Sequence, residues 1–322
     1  MKVFFVGPIV DFLLIGGLSI LGAMGCLALD RAELSFDAVA LVVALGWIVN
    51  WPHFAATSFR LYRSRESMLQ YPATSFGVPL LVLAGVACAF AWPRTAGMSF
   101  VKLFMLWSPY HFAGQTLGLT LLYARRAGLT VGRLDRAAYA GFIFATYLWL
   151  VVSQEAGVVP ADPRLPSLRL PEWMSWAALA AMHVLGLAAL AAFARACLTA
   201  RRLWPPIILL PAVAQYVWFV AGSRLESFNL FVPFFHSLQY LLIAWAVQLK
   251  ERRNSTLPWY LINVAVGALL FWVLPRAVHL LSGVPLPFTA LILGAAVQIH
   301  HFFVDGVIWK LRNPRVDALV RA

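Results

Sequence analysis

The chain is written as blocks of about 20 apolar residues separated by short, cation-rich loops. That block length is what an α-helix needs to cross the hydrocarbon core of a bilayer. Lipid offers no partner for backbone N–H and C=O groups, so each block must satisfy its own as a helix. Composition agrees: 62% of the 322 residues are hydrophobic and only 12% are charged, too few to cover a soluble domain of this length. Thirteen tryptophans suit the aromatic belts of a membrane protein. The expected fold is therefore all-α, a polytopic transmembrane helical bundle of about ten spans. The spans are expected at 3–29, 37–59, 75–93, 101–123, 137–153, 173–196, 205–222, 229–249, 257–275 and 287–309, and residues 1–322 form one integral membrane domain. The Pro-rich stretch 153–172 is the only long connector.

The net charge of +12 would suggest nucleic-acid binding in a soluble protein. Here it is read as orientation, with no nucleic-acid partner, and as attraction to anionic membrane lipids. Eighteen of the 25 Lys and Arg residues sit at Lys2 or after even-numbered spans, for example Arg60, Arg63 and Arg65, or Lys250, Arg252 and Arg253. Cytoplasmic loops concentrate Lys and Arg, so both termini are expected in the cytoplasm, with the protein integral to a bacterial inner membrane. Cys26, Cys88 and Cys197 lie in apolar stretches without a CxxC pair and are expected to be buried and inert.

Ionisable groups in hydrocarbon are costly and usually face the bundle interior with a partner. Five of the seven histidines fall on even-numbered spans in four motifs: WPHFAAT (51–57), SPYHFAGQT (108–116), FFHSLQY (234–240) and QIHHFFVDG (298–306). Counted back from the cytoplasmic cations, these histidines sit roughly 10–21 Å from that side of the membrane. A common depth lets them converge. Each motif has a polar residue one turn on, pairing His53 with Thr57, His111 with Gln115, His236 with Tyr240 and His301 with Asp305. Such neighbours orient ligating rings in metal sites. Asp11 is expected to reach the same band. His183, among Ala, Met and Leu, is read as an interhelical hydrogen-bond partner, and His279 as an interfacial residue. His-Phe recurs at 53–54, 111–112 and 301–302.

Two readings of the four motifs stand side by side: a metal site and a polar packing network. As a metal site, His53, His111 and His236 are ligands and His300 or His301 completes the set. Asp305, Gln115 and Tyr240 then orient ligands or bind a water. Imidazoles with one carboxylate suit non-haem iron, with zinc second and haem a further option.

The motifs resemble, in order and approximate spacing, those of the Brp/Blh family of membrane β-carotene 15,15′-dioxygenases, which have the form PHGxxD, HFGxxD, FxxHSxxH and PHxxxxD. WPHF matches the first with His53, YHFAG the second with His111, FFHSLQY the third with His236, and IHHFFVD the fourth with His300 and Asp305. The resemblance covers roughly residues 50–310. It departs at Thr57 and Thr116, which stand where the first two motifs carry an acid, and at Tyr240, where the third carries a histidine. The resemblance implies a histidine-ligated iron oxygenase acting on a lipid-soluble small molecule such as an isoprenoid. The alternative is a non-catalytic membrane protein, a transporter or complex subunit, in which the histidines relay protons or pack. The oligomeric state is not legible from the sequence.

Overall fold

The computed structural model describes residues 3–251 and 255–309. Lys2, Arg252, Arg253 and the cations from Lys310 onward lie outside the described residues. Among the described residues all regular secondary structure is helical, with no strand. Eight helices are long and apolar enough to cross a membrane: α1 (Pro8–Arg31), α2 (Ala38–Tyr62), α3 (Ala73–Ala91), α5 (Arg133–Glu155), α6 (Glu172–Ala200), α8 (Glu226–Glu251), α9 (Thr256–Ser282) and α10 (Leu286–Ile308). Two others take the remaining expected places. They are α4 (Met98–Ala127), long but more polar, and the short α7 (Leu210–Ala221).

Local chemistry sets the helix ends. Asp37 caps α2, its Oδ1 accepting the Ala40 N–H at 2.8 Å. Gly128 (φ 83°) and Gly283 (φ 70°) stop α4 and α9 in the left-handed conformation that glycine adopts without a Cβ clash. In α2, Pro52 has no N–H for the Ile48 carbonyl, and the turn Gly46–Asn50 widens to π geometry just ahead of it. The Tyr260 hydroxyl donates to that Ile48 carbonyl at 2.5 Å. Close by, Gly267 brings α9 against the backbone of Trp51, where a Cβ would fall within 2.6 Å of the Trp51 carbonyl carbon. This approach fixes α2 immediately before His53.

Ion pairs mark the two ends of the bundle. Arg63 and Glu251 pair at 2.8 Å across the C-terminal ends of α2 and α8. Arg195 at the end of α6 pairs with Asp135 at the start of α5. At the opposite end Lys102, early in α4, pairs with Glu155, the last residue of α5. Glu155 also accepts the Leu168 N–H at 2.6 Å, which ties down the 153–172 connector.

Four side chains differ from expectation. Asp11 does not reach the histidines. Its carboxylate is consumed by the N–H groups of Phe5, Val6 and Gly7 and by the Tyr123 hydroxyl, because the N-terminal segment folds back over the start of α1. His183 Nδ1 pairs at 2.8 Å with the carbonyl of Leu179 in its own helix rather than with a neighbouring one. Cys88 is exposed on α3 and Cys197 half-buried on α6, so only Cys26 is a core cysteine.

Candidate metal centre

α2, α4, α8 and α10 each carry one histidine to a common point in the interior. His53 and His301 are fully buried, His236 is nearly so, and His111 sits at the open edge. His53 Nε2 lies 2.9 Å from His301 Nε2, which lies 3.2 Å from His111 Nε2. The His236 ring closes the group, with centroids 5.2 Å from His53 and 5.1 Å from His111. Asp305 Oδ2 sits 3.4 Å from His301 Nε2 and 3.7 Å from His111 Nε2. Two overlapping donor sets result, His53–His236–His301 and His111–His301–Asp305, with donor atoms of each set within 4.8 Å of one another. His301 belongs to both.

The contact pairs show how the helices run. His53 meets His301 and, one turn on, Thr57 meets Asp305. His53 also meets His236, and Thr57 meets Tyr240. His111 meets His236, and Gln115 meets Gln239. Matching residues in the same order on both partners means that the helices in each pair are parallel, as equal parity of spans requires.

The His-Phe repeat acquires a structural meaning here. Each phenylalanine supports the imidazole of another helix. Phe112 stacks on His236 at 4.0 Å, Phe302 stacks on His111 at 4.6 Å, and Phe54 packs edge-on against His301 at 4.9 Å. Residues i and i+1 on a helix point about 100° apart. One faces the centre while the other reaches sideways to the next ring. The sequence showed the repeat, but not which helices it would join.

Other expected site residues occupy different roles. His300 is outside the group: its Nε2 lies 2.9 Å from the Tyr62 hydroxyl, and the two rings stack. His301 therefore takes the place open to either. Thr57 does not bond the His53 ring. Its hydroxyl is 2.7 Å from that of Tyr240 and donates to Asp305 Oδ1 at 3.2 Å. Gln115 does not touch an imidazole either. Its amide donates to the His236 carbonyl and to Gln239 Oε1, and Gln239 donates onward to the Ile15 carbonyl at 2.6 Å. This pair of glutamines, of which Gln239 had no distinguishing signal in the sequence, fastens α1, α4 and α8 behind the histidines. Tyr240 packs on His53 with centroids 4.4 Å apart.

A cavity of about 370 Å³ opens beside the cluster. His111, Asp305, Gln115, Gln239 and Tyr240 give it a polar patch, and the rest of its wall is largely aromatic and aliphatic. The donor cluster is thus closed on the His53–His236 side and accessible on the His111–Asp305 side. Comparison with known protein families, curated proteins and solved structures finds no match to this chain.

The donor set fits a metal ion. Around one ion with metal–nitrogen bonds of about 2.0–2.2 Å, neighbouring ligand atoms sit roughly 3.0–3.4 Å apart. The measured 2.9 and 3.2 Å separations are close to that spacing. Buried His236 has no hydrogen-bond partner on either ring nitrogen, so one is free for an ion at the cluster. Buried polar atoms are rarely left so.

Proposed function

We propose that this protein is a membrane-embedded, histidine-ligated metalloenzyme, an iron oxygenase acting on a lipid-soluble substrate such as an isoprenoid. The observation that carries the reading is the pairing of a buried imidazole cluster with an apolar cavity that meets it at His111 and Asp305. His53, His111, His236 and His301 would hold the ion. Nitrogen donors with one carboxylate and an accessible side favour iron, with zinc as the second choice. Haem does not fit between these rings, because nitrogens 2.9 and 3.2 Å apart leave no space for a macrocycle.

Iron held there supplies redox chemistry towards dioxygen. The chain's own residues do the rest. Phe54, Phe112 and Phe302 fix ring orientation and keep water from the closed side. Asp305, positioned by Thr57, sets the polarity of the open edge and can accept a proton beside His111. The aromatic walls hold an apolar molecule against that edge.

The chain Tyr240–Thr57–Asp305 favours a second reading, a transporter or complex subunit in which these groups relay protons. Metal content separates the two. The purified parent protein should carry close to one iron or zinc per chain under the first reading. A metal-free protein from metal-replete cells, purified in mild detergent without chelator, would favour the second.

A further inference from the structure

Three glycines of α4 and α10 have no packing reason to be glycine. A Cβ built on Gly114, Gly118 or Gly306 meets nothing within 4 Å, unlike Gly267 or Gly16, where neighbouring atoms lie at 2.9 Å or closer. All three are exposed, and all three line the cavity beside the histidines. Gly114 and Gly118 are one turn apart on one face of α4 and form a trough floored by backbone. Gly306 faces the same space from α10. Gly114 lies 16 residues after Met98 and 13 before Ala127. That places it about 20 Å or more from either end of a rising helix, in the middle of the hydrocarbon layer.

We propose that this trough is a lateral portal through which one hydrocarbon chain enters from the bilayer, and that Gly114, Gly118 and Gly306 set its width. The occupant follows from the surroundings. The opening runs from Gly114 toward the C-terminal ends of α4 and α10, where Gly118 and Gly306 lie, and at the depth of Gly114 it meets lipid chains rather than water. Beyond the mouth, Leu119, Leu122 and Ile243 continue the wall as buried aliphatic surface. Side chains at the glycine positions would project into the trough. The proposal takes from the metal reading only the position of the cavity beside the histidines, and it does not need a metal to be bound.

The test uses the full chain in nanodiscs of phosphatidylcholine carrying a mid-chain diazirine. After illumination, mass spectrometry maps the labelled residues. Labelling of buried Leu122 and Ile243 is expected in the parent, with exposed Leu187 and Leu190 on α6 as the lipid-facing reference. Gly118→Leu and Gly114→Leu should reduce labelling of Leu122 and Ile243 at least tenfold relative to that reference. Gly118→Ala should reduce it less, and Gly25→Leu, on an open position of α1, should leave it unchanged. Metal content is read on the same samples. An unlabelled Leu122 and Ile243 in the parent, or equal labelling in parent and Gly118→Leu, overturns the portal even when metal is bound. The expected pattern in a metal-free protein upholds the portal while the metal reading fails.

Discussion

Replacing His301 should dismantle the centre, while replacing its neighbour His300 should not. Both donor sets share His301, so its loss removes the nitrogen that joins His53 and His236 to His111 and Asp305. Removing even an outer-shell partner weakens metal binding about 10–100-fold. Loss of the shared ligand is expected to exceed 100-fold, about 2.8 kcal/mol or more at 1.4 kcal/mol per decade. His300→Ala breaks a hydrogen bond to Tyr62 and a stacked contact, worth roughly 1 kcal/mol of stability. It removes no donor from either set. His301→Gln, which keeps much of the volume and polarity, guards against simple collapse of the core. The assay is metal per chain by mass spectrometry after purification from iron- and zinc-supplemented cells, with monodisperse elution as the folding control. Parent-level metal in His301→Gln would refute the reasoning, as would equal metal loss in a well-folded His300→Ala.

Thr57→Val keeps the shape of the side chain but cuts the link between Tyr240 and Asp305, and should weaken metal binding about 10–100-fold without unfolding the protein, as read by competition with a chelator of known affinity. Reporter fusions at Ala322 and within 160–168 should give opposite signals, cytoplasmic at the first and external at the second, and matching signals would discard the orientation read from the cations. In the connector, hydrogen bonds from Arg164 hold the Asp162 carboxyl down to about 2. A depressed carboxyl contributes order above its ordinary value near 3.9 and loses it as pH falls towards 2. Hydrogen exchange of the 160–168 segment should therefore rise only below about pH 4 in the parent, and Arg164→Gln should shift that rise upward. An unshifted profile would mean that the pair does not order the connector.

The spans were legible because bilayer thickness leaves a helix little freedom in length. Even α4, whose inward face carries Ser108, His111, Gln115, Thr116 and Thr120, stands out between its charged ends. The histidine motifs were legible as a set through their shared parity and depth. The choice between His300 and His301 was not, because adjacent residues differ by about 100° around the axis and hardly at all in depth. Helix rotation decides it, and rotation comes from packing: Ile292, Ala295, Ala296 and Ile299 are buried on α10 and turn His301 inward. The i, i+4 pairs misled for a related reason. Thr57 and Gln115 share a face with their histidines, but their polar atoms find better partners across the helix gap. Asp11 had no sequence signal of its fate, since its partners are backbone groups of a segment that folds back on itself.

A centre built from parallel helices also accounts for the architecture around it. A membrane chain alternates direction at every crossing, so two parallel neighbours need a return helix between them. α3 returns the chain between α2 and α4 and packs against α10. α9 returns it between α8 and α10 and packs against α2. Neither contributes a histidine to the cluster. α9 is the least buried of the long apolar helices and α8 the most, which separates an outer set facing lipid from an inner set facing the centre. The inner helices can be less apolar because their polar side chains meet one another rather than hydrocarbon. Shared direction together with an inward-facing histidine picks out the four helices of the centre. The register of the contacts, His53 with His301 and Thr57 with Asp305, ties the alignment of those helices to the donor geometry. Rotating any one of them by a single residue would swing its imidazole about 100° away from the cluster.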